Sequence, residues 1–339
     1  MTGRAKQAVS AADVARAAGV SRSAVSRAFT PGGCVSAQAR RRILQAAEDM
    51  GYKVNRLARS LHQERSDLVG VVGSNFSNPY ISAQIDALSH ALREAGLHCL
   101  LLNAADDQDD LAGLLEYRVR TVVMLSGAAP DKLIRLCAAN GARMVLINRP
   151  APTCRAQADL IMADSAGGGK MAAQRLRKAG CRHVAVVSSG ARTSAKRARA
   201  TAFCQEMQRH SIPVEVWARG PNSYETGVHA ARHLLGGPQG QTPKIDGIFG
   251  VTDEIALGVL NTARHEIGLR VPEDLAVIGF DDAPISQWSS HGLTTIRQSL
   301  PALTRATLEA IAREPDAPPS LIQIPVELVE RSSVARSVD

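Results

Sequence analysis

The chain has 339 residues, 45% of them hydrophobic and 21% charged, and this balance excludes a disordered chain, a collagen and a disulfide-rich miniprotein. Aromatic residues make up 3%, which disfavours binding of single-stranded nucleic acid by base stacking. The net charge of +8 lies almost entirely in residues 1–67, which hold 12 Lys or Arg against 5 Asp or Glu. A basic head on a nearly neutral body indicates a polyanion-binding module attached to a part with a different task.

Two short helices joined by a tight turn are predicted at the start of the chain. Ser10 can cap a helix over residues 11–18, and Gly19 is suited to end it. Ser21 can then cap a second helix over residues 22–28. The residues predicted to face outward on this second helix are Arg22, Ser23, Ser26 and Arg27. The pattern is typical of a helix-turn-helix, whose second helix enters the major groove, where arginine can pair with guanine.

A third helix is predicted from its cap, Ser36, to Gly51, a residue suited to a left-handed helix end. Its apolar side is predicted to contain Ile43, Leu44, Ala47 and Met50. The arginines at positions 40–42 are assigned to phosphate contacts or, alternatively, to a solvated face. The alternative for the whole head is a small helical bundle without a role in DNA binding, against which the concentrated charge argues.

These motifs resemble, without a gap, the lactose-repressor (LacI/GalR) family of bacterial transcription regulators. The matching segments are Asp13-Val14-Ala15, Ala18-Gly19-Val20-Ser21, Val25-Ser26-Arg27, Val35-Ser36, Gly51-Tyr52 and Asn55-Arg56-Leu57-Ala58-Arg59-Ser60-Leu61. The resemblance implies that residues 55–61 form a hinge helix that orders on operator DNA, with Leu61 inserted into the minor groove. The alternative for Leu61 is a minor core contact. The DNA-binding residues that follow are Ser10, Ser21, Arg22, Ser23, Ser26, Arg27, Asn55, Ala58 and Leu61.

Three places in the head depart from the family's usual pattern. Ala24 replaces a common Thr and so removes a hydroxyl expected to contact phosphate. Phe29-Thr30 replaces a common Leu-Asn. Val54 stands where Pro is frequent, which leaves the start of the hinge less restrained.

From residue 68 onward, short apolar runs alternate with amphipathic segments, the pattern of parallel strands connected by helices. The predicted strands are 68–72, 97–102, 121–125, 143–147 and 160–163, then 184–187, 214–217, 245–249 and 275–280. Two doubly wound parallel-sheet lobes follow, an α/β body like that of periplasmic binding proteins behind an all-α head. A last strand is predicted over residues 321–329, after a proline-containing linker at 315–319.

The domain boundaries predicted from these patterns are 1–53 for the helix-turn-helix DNA-binding domain, 54–67 for the hinge helix and linker, and 68–339 for the effector-binding and dimerisation domain. Within the last of these, the first lobe is assigned to about 68–163 plus 297–319, and the second to about 164–296 plus 320–332.

Ligands of open parallel sheets bind at the carboxyl ends of the strands, so two facing lobes predict a small-molecule cleft between them. The candidate effector-binding residues are Asn78, Tyr80, Asn148, Arg149, Arg199, Asn222, Thr252 and Asp281. The resemblance makes Arg199 and Asp281 the pair that recognises a sugar or sugar acid; the alternative is a structural ion pair between the lobes. Asn222 stands where many relatives have a stacking aromatic and Thr252 where Asn is common, which predicts a different or more polar effector.

No catalytic site, cofactor or metal is predicted. Gly167-Gly168-Gly169-Lys170 lacks the first Gly and the final Ser or Thr of a phosphate loop, and is interpreted as a glycine-rich helix start. The widely spaced cysteines are expected to be reduced, mostly buried thiols: Cys34, Cys99, Cys137, Cys154, Cys181 and Cys204. The sequence shows neither a signal peptide nor a run long enough to span a membrane, which favours a cytoplasmic protein.

Together these features predict a DNA-binding transcriptional repressor, controlled by a sugar or sugar acid between the lobes. No leucine heptad follows the tail, so a homodimer on double-stranded operator DNA is favoured. A carrier-type sugar-binding protein is an alternative that would need a secretion signal and no basic head. A sugar-active enzyme is another, which turnover of candidate sugars would support. A third retains DNA binding but has no effector response.

Overall fold

The structure, a computed structural model, describes most of the chain as two compact units. The described residues are 9–30, 32–54, 66–103, 109–126, 129, 131–149, 158–190, 193–236 and 244–334. The two units are Met1–Ser66, here called the head, and Asp67–Asp339, here called the body. No helix within the described residues combines the length and the apolar character needed to cross a bilayer.

The helices of the head begin and end where the capping residues predict. They are α1 (Ala11–Ala18), α2 (Arg22–Ala28) and α3 (Ala37–Asp49). Ser10 and Asp13 form a reciprocal capping box, in which the Ser10 hydroxyl accepts the Asp13 N–H and the Asp13 carboxylate accepts the Ser10 N–H at 3.0 Å. Gly19 ends α1 with a φ of 63°, a conformation that glycine adopts without strain.

Small and branched side chains form the core of the head. Its buried members are Val14, Ala15, Ala18, Val25, Ala28, Ile43 and Ala47. The prediction that Leu44 and Met50 belong to this core is wrong, because their side chains are 44% and 36% exposed. Leu44 points about 100° around the helix from Ile43, and Met50 follows the last residue of α3.

The partly buried Arg40 connects α3 to the end of α2 and to the loop that follows it. Its guanidinium donates from Nη1 to the carbonyl of Ala28 at 2.5 Å and from Nη2 to the carbonyl of Gly33 at 2.8 Å. The two roles expected for Arg40, a phosphate contact or a place on a solvated face, are therefore both wrong. Its donors instead bond the carbonyl of the last residue of α2 and a carbonyl in the loop that follows. Arg41 and Arg42 are exposed.

The body contains two sheets of mainly parallel strands connected by helices. The strands are β1 (Leu68–Gly73), β2 (His98–Asn103), β3 (Thr121–Met124), β4 (Arg143–Ile147), β5 (Ala158–Ala163), β6 (Val184–Ser188), β7 (Val214–Ala218), β8 (Gly247–Gly250), β9 (Ala276–Asp281), β10 (Thr294–Gln298), β11 (Leu321–Ile324) and β12 (Val326–Val329). The helices are α4 (Pro79–Glu94), α5 (Asp109–Glu116), α6 (Asp131–Ala139), α7 (Ser165–Lys178), α8 (Ser194–Arg209), α9 (Tyr224–Leu235), α10 (Asp253–Thr262) and α11 (Leu300–Ala312).

The strand order is β11-β5-β4-β3-β1-β2 in the first sheet and β12-β10-β9-β8-β6-β7 in the second. Neighbouring residues of β1 face opposite sides of the first sheet: Val71 packs with Leu88 of α4, and Val72 packs with Ile134 of α6. The first sheet is thus covered on both faces, which explains why its central strands are mainly apolar, apart from Thr121, Arg143 and Asp159 near their starts.

The tail, predicted as one strand over residues 321–329, is two strands in different sheets. β11 pairs in parallel with β5 in the first sheet, and β12 pairs antiparallel with β10 in the second. Pro325 separates them, because proline lacks the N–H that would continue the ladder. Residues 321–324 therefore belong to the first lobe and not to the second, while residues 297–298 at the end of β10 belong to the second lobe and not to the first.

The described cysteines are free thiols, and Cys154 lies outside the described residues. Cys137 and Cys181 are buried, and burial raises the pKa of both thiols to about 12. Cys34 departs from the expected burial, since it is exposed on the head.

Candidate functional site

The outward side of α2 presents the side chains predicted to contact DNA. Val25 and Ala28 bury the inner side of this helix. The predicted residues on its exposed side are Arg22, Ser23, Ser26 and Arg27. Ser21 caps the helix by accepting the Ala24 N–H and shares a hydrogen bond of 2.9 Å with the Ser23 hydroxyl. Exposed polar side chains on a slim helix provide the geometry that base recognition in a major groove needs.

The rest of the predicted DNA interface divides into two parts. Ser10 is exposed at the start of α1, with its hydroxyl hydrogen-bonded to Asp13 at 2.7 Å. Asn55, Ala58 and Leu61 lie outside the described residues, so the hinge helix stays a prediction.

A cavity of about 230 Å³ lies between the two lobes of the body, at the carboxyl ends of their strands. All the predicted effector-binding residues line it: Asn78, Tyr80, Asn148, Arg149, Arg199, Asn222, Thr252 and Asp281. Residues that the sequence analysis did not single out for the cleft also line it, among them Ser74, Gln84, Ser126, Lys196 and Gln298. Side chains from both sheets thus converge on one small-molecule-sized space.

Arg199 and Asp281 form a buried ion pair at the floor of this cleft. The Arg199 Nη1 is 3.2 Å from the Asp281 Oδ1 and also donates to the carbonyl of Val251 at 2.8 Å. The guanidinium carbon lies 3.5 Å from the ring centroid of Phe280. Both partners belong to the second lobe, so the alternative of an ion pair between the lobes is wrong.

Burial sets the electrostatics of this pair. It raises the pKa of Asp281 to about 7, although the positive charge of Arg199 acts in the opposite direction. Burial also lowers the pKa of Arg199, which stays charged because a guanidinium does not lose its proton in proteins. The protonation of Asp281 therefore depends on any group that enters the cleft and changes the charge or hydration around the pair.

The three glycines at the start of α7 allow close packing beneath the site. The segment is part of a helix capped by Asp164, which confirms the interpretation as a helix start. A Cβ on Gly169 would lie 2.2 Å from the backbone oxygen of Arg199, and one on Gly168 would lie 2.5 Å from the Phe280 ring. The absence of side chains at these positions lets α7 pack directly against the residues that hold the ion pair.

A second network joins the two lobes behind the ion pair. Asn148 accepts the Ala163 N–H at 2.7 Å and donates to the Oε1 of Gln298 at 2.8 Å. Gln298 donates in turn to the Asp281 Oδ1 at 2.6 Å. Asn148 and Asp281 have φ values of 54° and 130°, conformations that are costly for these residues and recur at functional sites. The position of Asp281 thus depends on residues from both lobes.

The carboxylate of Glu254 connects two residues that line the cleft. Glu254 accepts a hydrogen bond from the Asn78 Nδ2 at 2.5 Å and another from the Asn222 Nδ2 at 3.1 Å. Asn222 also accepts the Thr252 hydroxyl at 3.0 Å, and Thr252 caps α10. Because Asn78 lies in the first lobe and Glu254 in the second, this cluster connects the lobes directly.

Two further cations face the same cavity. Burial lowers the pKa of Arg149 to about 10, and the charge of Arg199 lowers it further. Burial likewise lowers the pKa of Lys196 to about 8, with Arg199 again the largest charge effect. Lys196 donates to the Ser189 hydroxyl at 3.2 Å. Lys196 was missed from sequence, although its position three residues before Arg199 puts both on neighbouring parts of one helix surface.

Asp253, the first residue of α10, is buried and holds three groups from other parts of the second lobe. Its buried carboxylate accepts the Ala283 N–H and the Ser286 hydroxyl, both at 2.7 Å, and the Thr295 hydroxyl at 2.5 Å. Burial raises the pKa of Asp253 to about 6. These bonds attach the start of α10 to residues 283–286, which follow Asp281 at the end of β9, and to Thr295 of β10.

The comparisons with known proteins address both units. The family profile described as "Bacterial regulatory proteins, lacI family" matches residues 11–55, and the "Periplasmic binding protein-like domain" profile matches residues 173–334. The HTH-type transcriptional regulator CelR of Thermobifida fusca is 30% identical over 295 residues, which are 84% of this chain and 85% of that protein. The chain belongs to the LacI family of bacterial regulatory proteins. It is a DNA-binding transcriptional regulator.

Other members of the family extend the comparison along the chain. The HTH-type transcriptional repressor PurR of Yersinia pestis is 27% identical over 335 residues, covering 95% of this chain and 96% of that protein. A structure of the lac repressor dimer bound to operator and the anti-inducer ONPF has the same fold, with a TM-score of 0.82 at 24% identity over 97% of this chain and 100% of that chain. The CelR-cellobiose complex has a TM-score of 0.70 at 26% identity, covering 96% and 99%.

Proposed function

We propose that this LacI-family regulator is a repressor that recognises its operator sequence through α2 and is controlled by a small ligand in the cleft. The exposed row of Arg22, Ser23, Ser26 and Arg27 carries the first half of this proposal. Arg22 and Arg27 supply the donors for guanine or phosphate, and the two serines can contact either base edges or the backbone. The hinge residues Asn55, Ala58 and Leu61 complete the interface, with Leu61 opening the minor groove.

The proposed ligand is a sugar or a sugar acid. CelR has been solved with cellobiose, and a LacI-family regulator of Enterococcus faecium with ribose, so related bodies bind carbohydrates. The cleft supports the same class here because Arg199, Asp281 and Asn222 supply directional donors and acceptors of the kind that hydroxyl groups need. Tyr80 adds a ring to the cleft from the first lobe, and Asn222 adds an amide from the second.

The proposed mechanism couples the cleft to the DNA through the arrangement of the lobes. A ligand alters this balance if it binds one arrangement more tightly than another. Glu254 and Gln298 already join the lobes through Asn78 and Asn148, so a ligand that contacts both walls changes the free energy of these junctions. The proposed result is a change in how two hinge segments pair on DNA.

The proposal includes a homodimer acting on a two-fold operator in the cytoplasm, without catalytic turnover. A C2 dimer presents two copies of α2 to successive half-sites, which suits a pseudo-palindromic site. The cleft alone would also suit the carrier-type alternative, and the exposed polar side of α2 in the head favours regulation over it. The enzymatic alternative has no supporting observation among the described residues.

Selection from a library of random duplexes tests this proposal. Wild-type protein is expected to enrich a two-fold-symmetric sequence, and Arg22→Ala to enrich a more degenerate one, because a lost bidentate base contact removes about 1–3 kcal/mol of discrimination. Arg41→Ala is the matched control, since Arg41 is equally exposed but lies on α3. It should weaken all sequences alike. Failure of the wild-type protein to enrich any sequence at low salt would overturn the proposed function.

A further inference from the structure

We propose that the effector carries an anionic group, a carboxylate or a phosphate, and that Arg149, Lys196 and Arg199 bind it. This inference rests on the proposed function and narrows it, because it assigns a charge to the ligand and a subsite to receive that charge. The chemistry that the three side chains share is the recognition of an oxyanion by charge-assisted hydrogen bonds.

The charge balance of the cavity is the first argument. Among the described residues that line it, the cations are Arg149, Lys196 and Arg199, and the anion is Asp281. Asp281 is already paired with Arg199, and burial raises its pKa to about 7, so its charge is incomplete near neutral pH. Glu254, bonded to the lining residues Asn78 and Asn222, is a second carboxylate, so three cations face two anions, and a neutral ligand would leave this imbalance in a partly desolvated space.

The three cations also act on one another. Burial and the charge of Arg199 lower the pKa of both Arg149 and Lys196, and Arg149 further lowers that of Lys196, while the carboxylates of Asp281 and Glu254 act on Lys196 in the opposite direction. Such repulsion is unfavourable in the ligand-free cleft, and a bound oxyanion would convert it into attraction. Clusters of this kind are the usual means by which proteins hold carboxylates and phosphates.

The hydrogen-bond inventory is the second, independent argument. Within the described part of the chain, the Tyr80 hydroxyl, the Gln84 Nε2 and the Arg199 Nε are buried and have no hydrogen-bond partner. Tyr80 and Gln84 are 6% and 4% exposed, and both line the cavity. Lining side-chain oxygens that already accept hydrogen bonds within the protein include those of Asn78, Asn148, Asn222 and Gln298 and the Oδ1 of Asp281. A cleft with spare donors and engaged acceptors suits a ligand rich in acceptor oxygens, as an oxyanion is.

The test measures the melting temperature of the full-length protein in inorganic phosphate at constant ionic strength. The test variant is Lys196→Gln, and the matched control is Arg197→Gln, which removes the same charge from an exposed position on the same helix. Phosphate bound by the head contributes equally in all proteins and cancels. We expect the half-saturating phosphate concentration to rise about tenfold in Lys196→Gln and to stay unchanged in Arg197→Gln. Lys196→Arg should restore the wild-type value.

A second arm identifies the source of the anion with gluconate, glucose 6-phosphate and uncharged glucose. A rise in melting temperature that depends on Lys196 with either charged compound supports the inference and names the carboxylate or the phosphate. Equal responses to phosphate in Lys196→Gln and Arg197→Gln overturn it. If neutral sugars alone stabilise the protein and alter operator binding, the inference is also overturned, while the proposed function stands.

Discussion

Arg40 adds to the positive charge of the head, but its role is structural and not the phosphate contact that the sequence predicts. The basic cluster at positions 40–42 favours phosphate contacts when only sequence is considered. In the folded head, Arg40 donates to the carbonyls of Ala28 and Gly33, which come within its reach only once α2 has packed against α3. Capping residues such as Ser10 were predictable because their partners lie three residues away.

Arg40→Ala should therefore destabilise the head without changing the number of phosphate contacts. The loss of two hydrogen bonds from a charged donor is expected to cost about 2 kcal/mol of unfolding free energy. The salt dependence of DNA binding should retain its slope, whereas Arg41→Ala should flatten it by about one unit per lost phosphate contact. Thermal unfolding and salt titrations of both variants measure these effects. A flatter salt dependence of DNA binding in Arg40→Ala would show that Arg40 does contact phosphate, against this prediction.

Asp281 makes a prediction about pH. An unfolded aspartate loses its proton near pH 4, whereas burial raises the pKa of Asp281 in the folded protein to about 7. Deprotonation thus favours the unfolded state, and the stability that this group contributes is lost as pH rises from about 4 to about 7. The melting temperature of the wild type should fall relative to that of Asp281→Asn between pH 5 and pH 8. A difference between the two proteins that is constant with pH would contradict the raised pKa.

At the scale of elements, sequence periodicity predicted most strands of the body but not how the tail divides between sheets. The apolar run at residues 321–329 looks continuous, and only the pairing of β11 with β5 and β12 with β10 shows two strands. β10 itself was missed, and Gln298 at its end was missed with it. Strand partners depend on contacts far apart in sequence, which local patterns do not encode.

Gly169→Ala tests the close packing of α7 on the site. The added Cβ would lie 2.2 Å from the Arg199 backbone oxygen, so α7 or α8 must shift, at a cost of about 1–3 kcal/mol. Gly113→Ala, also in a helix, is the control: its Cβ meets no atom within 4 Å, and it should be neutral or stabilising by up to about 1 kcal/mol. Denaturant titrations compare the two. Equal stabilities of the two variants would contradict the packing.

At the scale of the whole molecule, the sequence predicted a basic head and a two-lobed sensor because charge distribution and strand alternation are properties of long segments. Asn148, Thr252 and Asp281 were predictable for the same reason, since residues at the carboxyl ends of parallel strands converge. Arg199, which lies within α8, and Asn222 were predicted with the help of the family resemblance. Glu254 was missed for this role because its hydrogen bond with Asn78 forms only where one lobe meets the other. Lys196 was missed although it lies on the same helix as Arg199. The hydrogen bond from Asn78 to Glu254 joins the two lobes at a residue that lines the cleft.

The central claim is that occupancy of the cleft sets the affinity of the head for operator DNA. Fluorescence anisotropy of the selected operator, at fixed salt and with and without a ligand that raises the melting temperature, measures this coupling directly. We expect the operator Kd to change by about 5- to 150-fold on ligand saturation, and Asn222→Ala to reduce that change while retaining operator binding. An operator Kd that stays the same when the cleft is saturated would contradict the account.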